Sequence, residues 1–137
     1  MLALDHGDQR IGLALTDREQ RHALAHGTVA AQPEHEALRA IVNIISSEGV
    51  THIVVGLPLT LEGAEGFQAE KARTFGTALA RETGLPVSFV DERFTSGAAT
   101  KAAKEKGGEP DAEAARLILE AWLMRRTGSS ALLRTLA

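Results

Sequence analysis

One stretch near the start of the chain constrains the fold more than any other: L-A-L-D-H-G-D-Q-R-I-G-L-A-L-T-D over residues 2–17. Residues 2–4 and 11–15 are apolar runs of strand length, and Gly7 and Asp8 between them carry turn chemistry. The stretch predicts a hairpin with the carboxylate of Asp5 at its mouth. An ionised carboxylate at the edge of a core is costly unless something compensates it, so a metal ion, a cation or a cluster of N–H groups is expected beside Asp5. The plainer alternative is that Asp5 caps the turn through its own backbone.

The rest of the chain reads as support for that hairpin. Residues 22–31 form a third, irregular strand centred on Thr28 and Val29. Pro33 suits a first helical position, and Leu38, Ile41, Val42 and Ile45 recur at helical spacing before Gly49 supplies a left-handed stop. Residues 52–55 are a short β-branched run, and a buried strand after a helix indicates a parallel addition to the sheet. Gly56-Leu57-Pro58 ends that strand, since proline cannot donate to a ladder. After a glycine-bearing loop over 61–66, Ala72, Phe75, Gly76 and Leu79 share one face of a second helix that ends at Gly84. Residues 86–90 form a further strand stopped by Asp91-Glu92-Arg93, and Thr95 or Ser96 caps a short helix that runs through 101–104 and breaks at Gly107-Gly108. Pro110 and Asp111 open the last helix, with Asp111, Ala115, Ile118 and Trp122 on or beside its buried face; residues 127–137 are expected as a tail. The order β-β-β-α-β-α-β-α means an α/β fold: a mixed five-stranded sheet with helices on both faces, in one domain over residues 1–137.

Composition matters for what it excludes. At 137 residues the chain is of single-domain size, and with no cysteine it can build neither a disulfide framework nor a thiolate zinc site. The absence of a signal-peptide pattern or long apolar run makes the cytoplasm the expected location, with no membrane contact. A net charge of −3 gives no global attraction to nucleic acid, so any nucleic-acid site must be a local basic patch.

Three acidic positions share a property: Asp5 ends a strand, Asp91-Glu92 ends another, and Asp111 begins a helix that enters the core. Strand ends and helix starts meet on one edge of an α/β sheet. Carboxylates gathered there repel one another unless divalent cations hold them ionised, and oxygen-only donors suit Mg²⁺ or Mn²⁺. Each acid also has a plainer reading: Asp111 as a helix N-terminal residue favoured by the dipole, Asp91 as a partner of Arg93, Glu92 as a bridge to Arg10. In the strand before them, Asp91 shares a face with Val87 and Phe89 while Glu92 follows Ser88 and Val90. The longer reach of Glu92 makes it the expected metal ligand with Asp5 and Asp111, and the same three residues the expected catalytic set. Arg10, Arg93 and Lys101 flank this edge and are the expected nucleic-acid contacts. His6 would touch a phosphate or a metal-bound water, or serve only as a turn histidine; His22, His26, His35 and His52 have no ligand spacing.

Five motifs then carry a family resemblance: Asp5-x-Gly7-x-x-Arg10-Ile11-Gly12-x-Ala14-x-x-Asp17; Val55-Gly56-Leu57-Pro58-Leu59; Gly63-x-x-Gly66-x-Gln68-x-x-Lys71-x-x-x-Phe75; Asp91-Glu92-Arg93-Phe94-Thr95; and Asp111-x-x-Ala114-Ala115-x-x-Ile118-Leu119. In this order and spacing the chain resembles the YqgF family, whose members are described as RuvX-type Holliday junction resolvases and as pre-16S rRNA nucleases. The resemblance implies a ribonuclease H-like fold and a two-metal-type nuclease that uses Mg²⁺ or Mn²⁺ to mature the 5′ end of 16S rRNA in the cytoplasm. The implied partners are pre-rRNA ahead of junction DNA, together with ribosomal precursor particles, for a monomer or weak homodimer. His6 and Asp8 depart from the family, which usually has a small apolar residue and a Thr or Ser there. An extra carboxylate at Asp8 is expected to alter metal affinity or repel phosphate. The loop over 106–110 lacks the basic run common before the last aspartate. Related resolvases keep a glutamate at the end of the fourth strand, where this chain has Gly56-Leu57-Pro58, and Glu92 is the substitute. The other readings are a Holliday junction resolvase, a non-catalytic nucleic-acid-binding module, and half of an actin-like ATPase that lacks its second domain.

Overall fold

The two apolar runs of the opening stretch become β1 (Leu2–His6) and β2 (Arg10–Thr16), paired antiparallel with Leu4 opposite Leu13 and Asp5 opposite Gly12. The computed structural model of the chain describes residues 1–58, 66–91 and 110–136, with side chains of the last segment described over 111–125. The turn between the strands closes on a bond from the Gly7 N–H to the Arg10 carbonyl, 2.9 Å. β3 (Ala23–Ala30) pairs antiparallel with β2, and the register shifts between Gly12 and Ala14. The connection between β2 and β3 is held by Asp17, whose Oδ1 accepts the backbone N–H groups of Arg21 (2.8 Å) and His22 (3.3 Å). Those bonds keep its carboxyl below the usual range, the Arg21 bond first.

α1 (Glu34–Glu48) then crosses to deliver β4 (Ile53–Leu57) parallel to β1, and α2 (Phe67–Thr83) delivers β5 (Val87–Asp91) parallel to β4. Among the described residues the sheet order is β3-β2-β1-β4-β5. α3 (Pro110–Leu136) lies across the other face, against β1, β2, β3 and β4. The expected element order and two-sided covering are therefore observed.

Strand alternation sorts the core into two layers. Leu2, Leu4, Ile11, Leu13, Ile53 and Val55 meet Ile41, Ile45, Phe75 and Leu79 of α1 and α2. Ala3, Ala14, Val54 and Val90 meet Ala115, Ile118, Leu119 and Leu123 of α3. Small residues dominate the sheet's α3 side, which lets that helix lie close. β4 is buried at every position, because it is central and covered on both faces.

Three details differ from the sequence expectation or fall outside it. Pro33 is the N-cap and not the first helical residue: its ψ of 147° is extended, while its carbonyl already accepts the Ala37 N–H at 3.1 Å. The tail expected over 127–137 is instead helix as far as Leu136. Gly128 costs a helix only about 1 kcal/mol and no proline interrupts the segment, so Ser and Gly there are weak stops. The short helix expected around 95–104, its Gly107-Gly108 break and most of the 61–66 loop lie outside the described residues.

Phe75 is 1 % exposed and joins α2 to the core under β1 and β4. Phe75→Ala should cost about 3–5 kcal/mol in chemical denaturation; a loss below 1 kcal/mol, on the order of a surface change, would place Phe75 outside the core.

Candidate active site

Asp5 and His6 are consecutive at the carboxyl end of β1, so they address opposite faces of the sheet. His6 follows Leu2 and Leu4 towards α2, where its ring centroid lies 5.0 Å from that of Phe75. Burial lowers its pKa, against an opposing pull from Glu34. Asp5 follows Ala3 towards α3. His6 is thus not a neighbour of the Asp5 carboxylate in function, although it is its neighbour in sequence.

What Asp5 meets on its own face is decided by Gly12. This residue stands opposite Asp5 in the β1–β2 register, inside a buried apolar strand. A Cβ at Gly12 would overlap the Asp111 carbonyl and crowd the Ala112 nitrogen. Only a bare backbone admits the first turn of α3 here. Gly12 therefore brings the peptide of Asp111 to the strand residue paired with Asp5. The two acids that the sequence places at a strand end and a helix start share one face of the sheet.

Arg10, two residues before Gly12 on the same strand, reaches the same place: its Nε lies 3.3 Å from Asp111 Oδ2. The side chains are 63 % and 33 % exposed, so the pair adds at most about 1 kcal/mol of stability. Its effect is on local charge, since it sets a guanidinium among the acids. Arg93 and Lys101, the other expected phosphate contacts, lie outside the described residues, as does Glu92. Asp91 is described: it pairs in register with Leu57 and, by alternation, lies on the Phe89 side of β5, which packs towards α2.

Asp8 is engaged away from Asp5 and Asp111. Gln68 Nε2 donates to both its carboxylate oxygens at 2.9 Å, and Lys71 Nζ sits 3.1 Å from Oδ1. The Gln68 bonds, then Lys71, hold its carboxyl below the usual range. The hairpin tip is thereby clipped to the first turns of α2. Sequence reasoning quoted Gln68 and Lys71 as motif residues but missed this pairing. It also missed the reason for Gly12, for which an isolated glycine within a strand was the available signal. His52 lies away from this edge and is structural, with Nε2 2.8 Å from Ser88 Oγ and its ring 5.4 Å from that of Trp122.

Among the described residues no three His, Cys, Asp or Glu side chains group as a metal site. Asp5 and Asp111 supply carboxylate oxygens only, on a face made close by Gly12, and this donor type fits a hard divalent cation in preference to zinc.

The sheet order, with one helix across the face that carries the acids, is that of a ribonuclease H-like fold. Among solved structures, RuvC of T. thermophilus in complex with Holliday junction substrate aligns with a TM-score of 0.60 at 18 % identity, over 93 % of this chain and 96 % of that one. The structure of Thermus thermophilus RuvC aligns at 0.57 and 15 % identity. Residues 1–125 match the family model described as "RuvX: Holliday junction resolvase", and the chain belongs to that family. A protein named "Putative pre-16S rRNA nuclease" from Anaeromyxobacter sp. (strain K) is 43 % identical, over 91 % of this chain and 96 % of its own. One of the same name from Chloroflexus aurantiacus is 39 % identical, over 92 % and 87 %. Among the described residues no helix is long and apolar enough to cross a membrane.

Gly12→Ala tests the close approach. It should destabilise the protein by about 1–3 kcal/mol, the scale of overpacking in a tight core, because backbone and not a flexible side chain must move. A denaturation midpoint equal to wild type would show that α3 does not lie against Gly12.

Proposed function

We propose that this protein is a divalent-metal-dependent nuclease that hydrolyses phosphodiester bonds in structured RNA, with the 5′ end of pre-16S rRNA as its substrate. The observation that carries this is the meeting of Asp5 and the start of α3 across Gly12, which sets two carboxylates on one face at the carboxyl edge of the sheet. Asp5 and Asp111 would hold the metal, with Glu92 as third ligand. We assign Glu92 and not Asp91 because Asp91 belongs to the α2 side of β5. When bound, Mg²⁺ or Mn²⁺ supplies the activation of water and the stabilisation of the leaving oxygen. The chain's own part is to keep the carboxylates ionised and in place and to receive the phosphate. Arg10 serves both ends: it offsets the charge of Asp111 in the free protein and presents a guanidinium suited to a phosphate oxygen. Arg93 and Lys101 are the further phosphate contacts of this reading.

The choice of RNA follows the names of relatives at about 40 % identity. The second reading, a Holliday junction resolvase, has in its favour the family description and the RuvC likeness. A junction is two-fold symmetric, so that activity requires two copies with paired sites.

Matched pre-rRNA and four-way DNA substrates, each with and without Mn²⁺, test the proposal. RNA should be cut faster, and only with metal. Asp5→Asn, Glu92→Gln and Asp111→Asn should each lower turnover roughly 100-fold or more, the scale of removing one charge-stabilising group, whereas Asp91→Asn should cost stability more than rate. Full activity in excess chelator would overturn the mechanism; faster, symmetric junction cutting would overturn the choice of RNA.

A further inference from the structure

On the face of β1 opposite Asp5 lies a cavity of about 300 Å³, between the start of α1 and the first turns of α2. His6, Gln32, Glu34, Phe67, Glu70 and Lys71 line it. None of these residues has a part on the acidic face, and His6 points away from it. The cavity opens beside the same strand end, one residue further along the chain than Asp5.

Its chemistry is wrong for a phosphate. Two carboxylates, Glu34 and Glu70, stand against one ammonium, and Lys71 is already engaged by Asp8 at 3.1 Å. Its chemistry is right for a flat, uncharged ring that brings N–H donors. Phe67 opens α2 and is 70 % exposed, so its ring is accessible from the cavity that it lines. The Lys71 ammonium lies 4.4 Å from the centroid of the Phe67 ring and covers one of its faces, which leaves the other for a stacked ring. Nδ1 of His6 is buried against its own backbone, so the histidine forms the floor of the cavity.

Resting on the nuclease reading, we propose that this cavity receives one unpaired base of the strand whose backbone follows the Asp5 face. Phe67 is its stacking platform, and Glu34 and Glu70 accept hydrogen bonds from an exocyclic amino group. The backbone then passes over the carboxyl end of β1, with its phosphate on the Asp5 side and its base on the His6 side. Extruding a base from a duplex is costly, so the pocket favours unpaired positions. It also selects among bases: cytosine offers an amino group with two N–H donors, one for each carboxylate, where uracil offers a single N3–H between two carbonyl oxygens that the carboxylates repel.

The test is equilibrium binding in chelator, where turnover plays no part, of 5′-labelled oligocytidylate, oligouridylate and an abasic oligomer of equal length to the whole protein. Oligocytidylate should bind about tenfold more tightly than oligouridylate, and the abasic strand more weakly than either. Phe67→Ala should weaken oligocytidylate about 5- to 100-fold, the range of one base–aromatic stack, and leave the abasic strand unchanged. Phe67→Tyr should keep wild-type binding, and the Glu34→Gln, Glu70→Gln double variant should narrow the ratio between the two pyrimidine strands. Phe67 and both glutamates are exposed, so these variants should fold. Equal binding of abasic and base-bearing strands, or unchanged oligocytidylate binding by Phe67→Ala, would overturn the proposal. Absence of metal-dependent cleavage alongside the expected base pattern would overturn the nuclease reading and leave the pocket supported.

Discussion

The contact on which the rest of the structure depends is the backbone-to-backbone approach of the first turn of α3 to Gly12. Everything on the acidic face follows from it. The β1–β2 pairing fixes Gly12 opposite Asp5, and the missing side chain lets the Asp111 peptide occupy the space that a Cβ would fill. The small residues Ala3, Ala14 and Ala115 extend the same close packing along the helix. Two like charges are thereby set on one face by apolar packing elsewhere, which is how a fold can keep an arrangement that its electrostatics oppose. Arg10 relieves part of that opposition in the free protein.

A strand end offers two faces, and this chain gives each a different chemistry. Asp5 faces α3 with Asp111 and Arg10; His6 faces α2 beside Phe75, above a cavity edged by Phe67, Glu34 and Glu70. Asp8 joins the two arrangements, because its bonds to Gln68 and Lys71 tie the hairpin tip to the helix that carries Phe67. Movement of the tip would therefore reach both faces. On the proposals above, a nucleic-acid strand lying across this edge would meet carboxylates and a guanidinium with its phosphates and an aromatic, acceptor-rich pocket with its bases.

The sequence made the topology legible because its elements are punctuated by strong local signals: Gly7 and Asp8 in the turn, Gly49 and Gly84 at helix ends, Pro58 after β4. Strand alternation also separates His6 from Asp5, a consequence the sequence reading did not draw when it set His6 beside a phosphate or a metal-bound water, or in the turn. It did not reveal that α3 continues past Thr127, since the weak breakers Gly128 and Ser129 give no decisive stop and the helix extends to Leu136. The site was legible as a set of acids at element ends expected on one edge, but the backbone contact that brings them there was not. Asp5 and Asp111 are far apart in sequence, and what unites them is a glycine whose function is to be absent from a space. The Asp8 clip and the cavity by His6 were equally hidden, because each depends on residues of α1 or α2 meeting β1 across long separations.

The central claim is that Asp5 and Asp111 act as one carboxylate site for a divalent cation. Titration of Mn²⁺ into the nucleic-acid-free protein, followed by water-proton relaxation or calorimetry, measures this directly and does not depend on the identity of the substrate. The account predicts saturable binding by the wild type that is lost in Asp5→Asn and lost again in Asp111→Asn, with both variants folded by circular dichroism. Undiminished Mn²⁺ binding by both variants would contradict it.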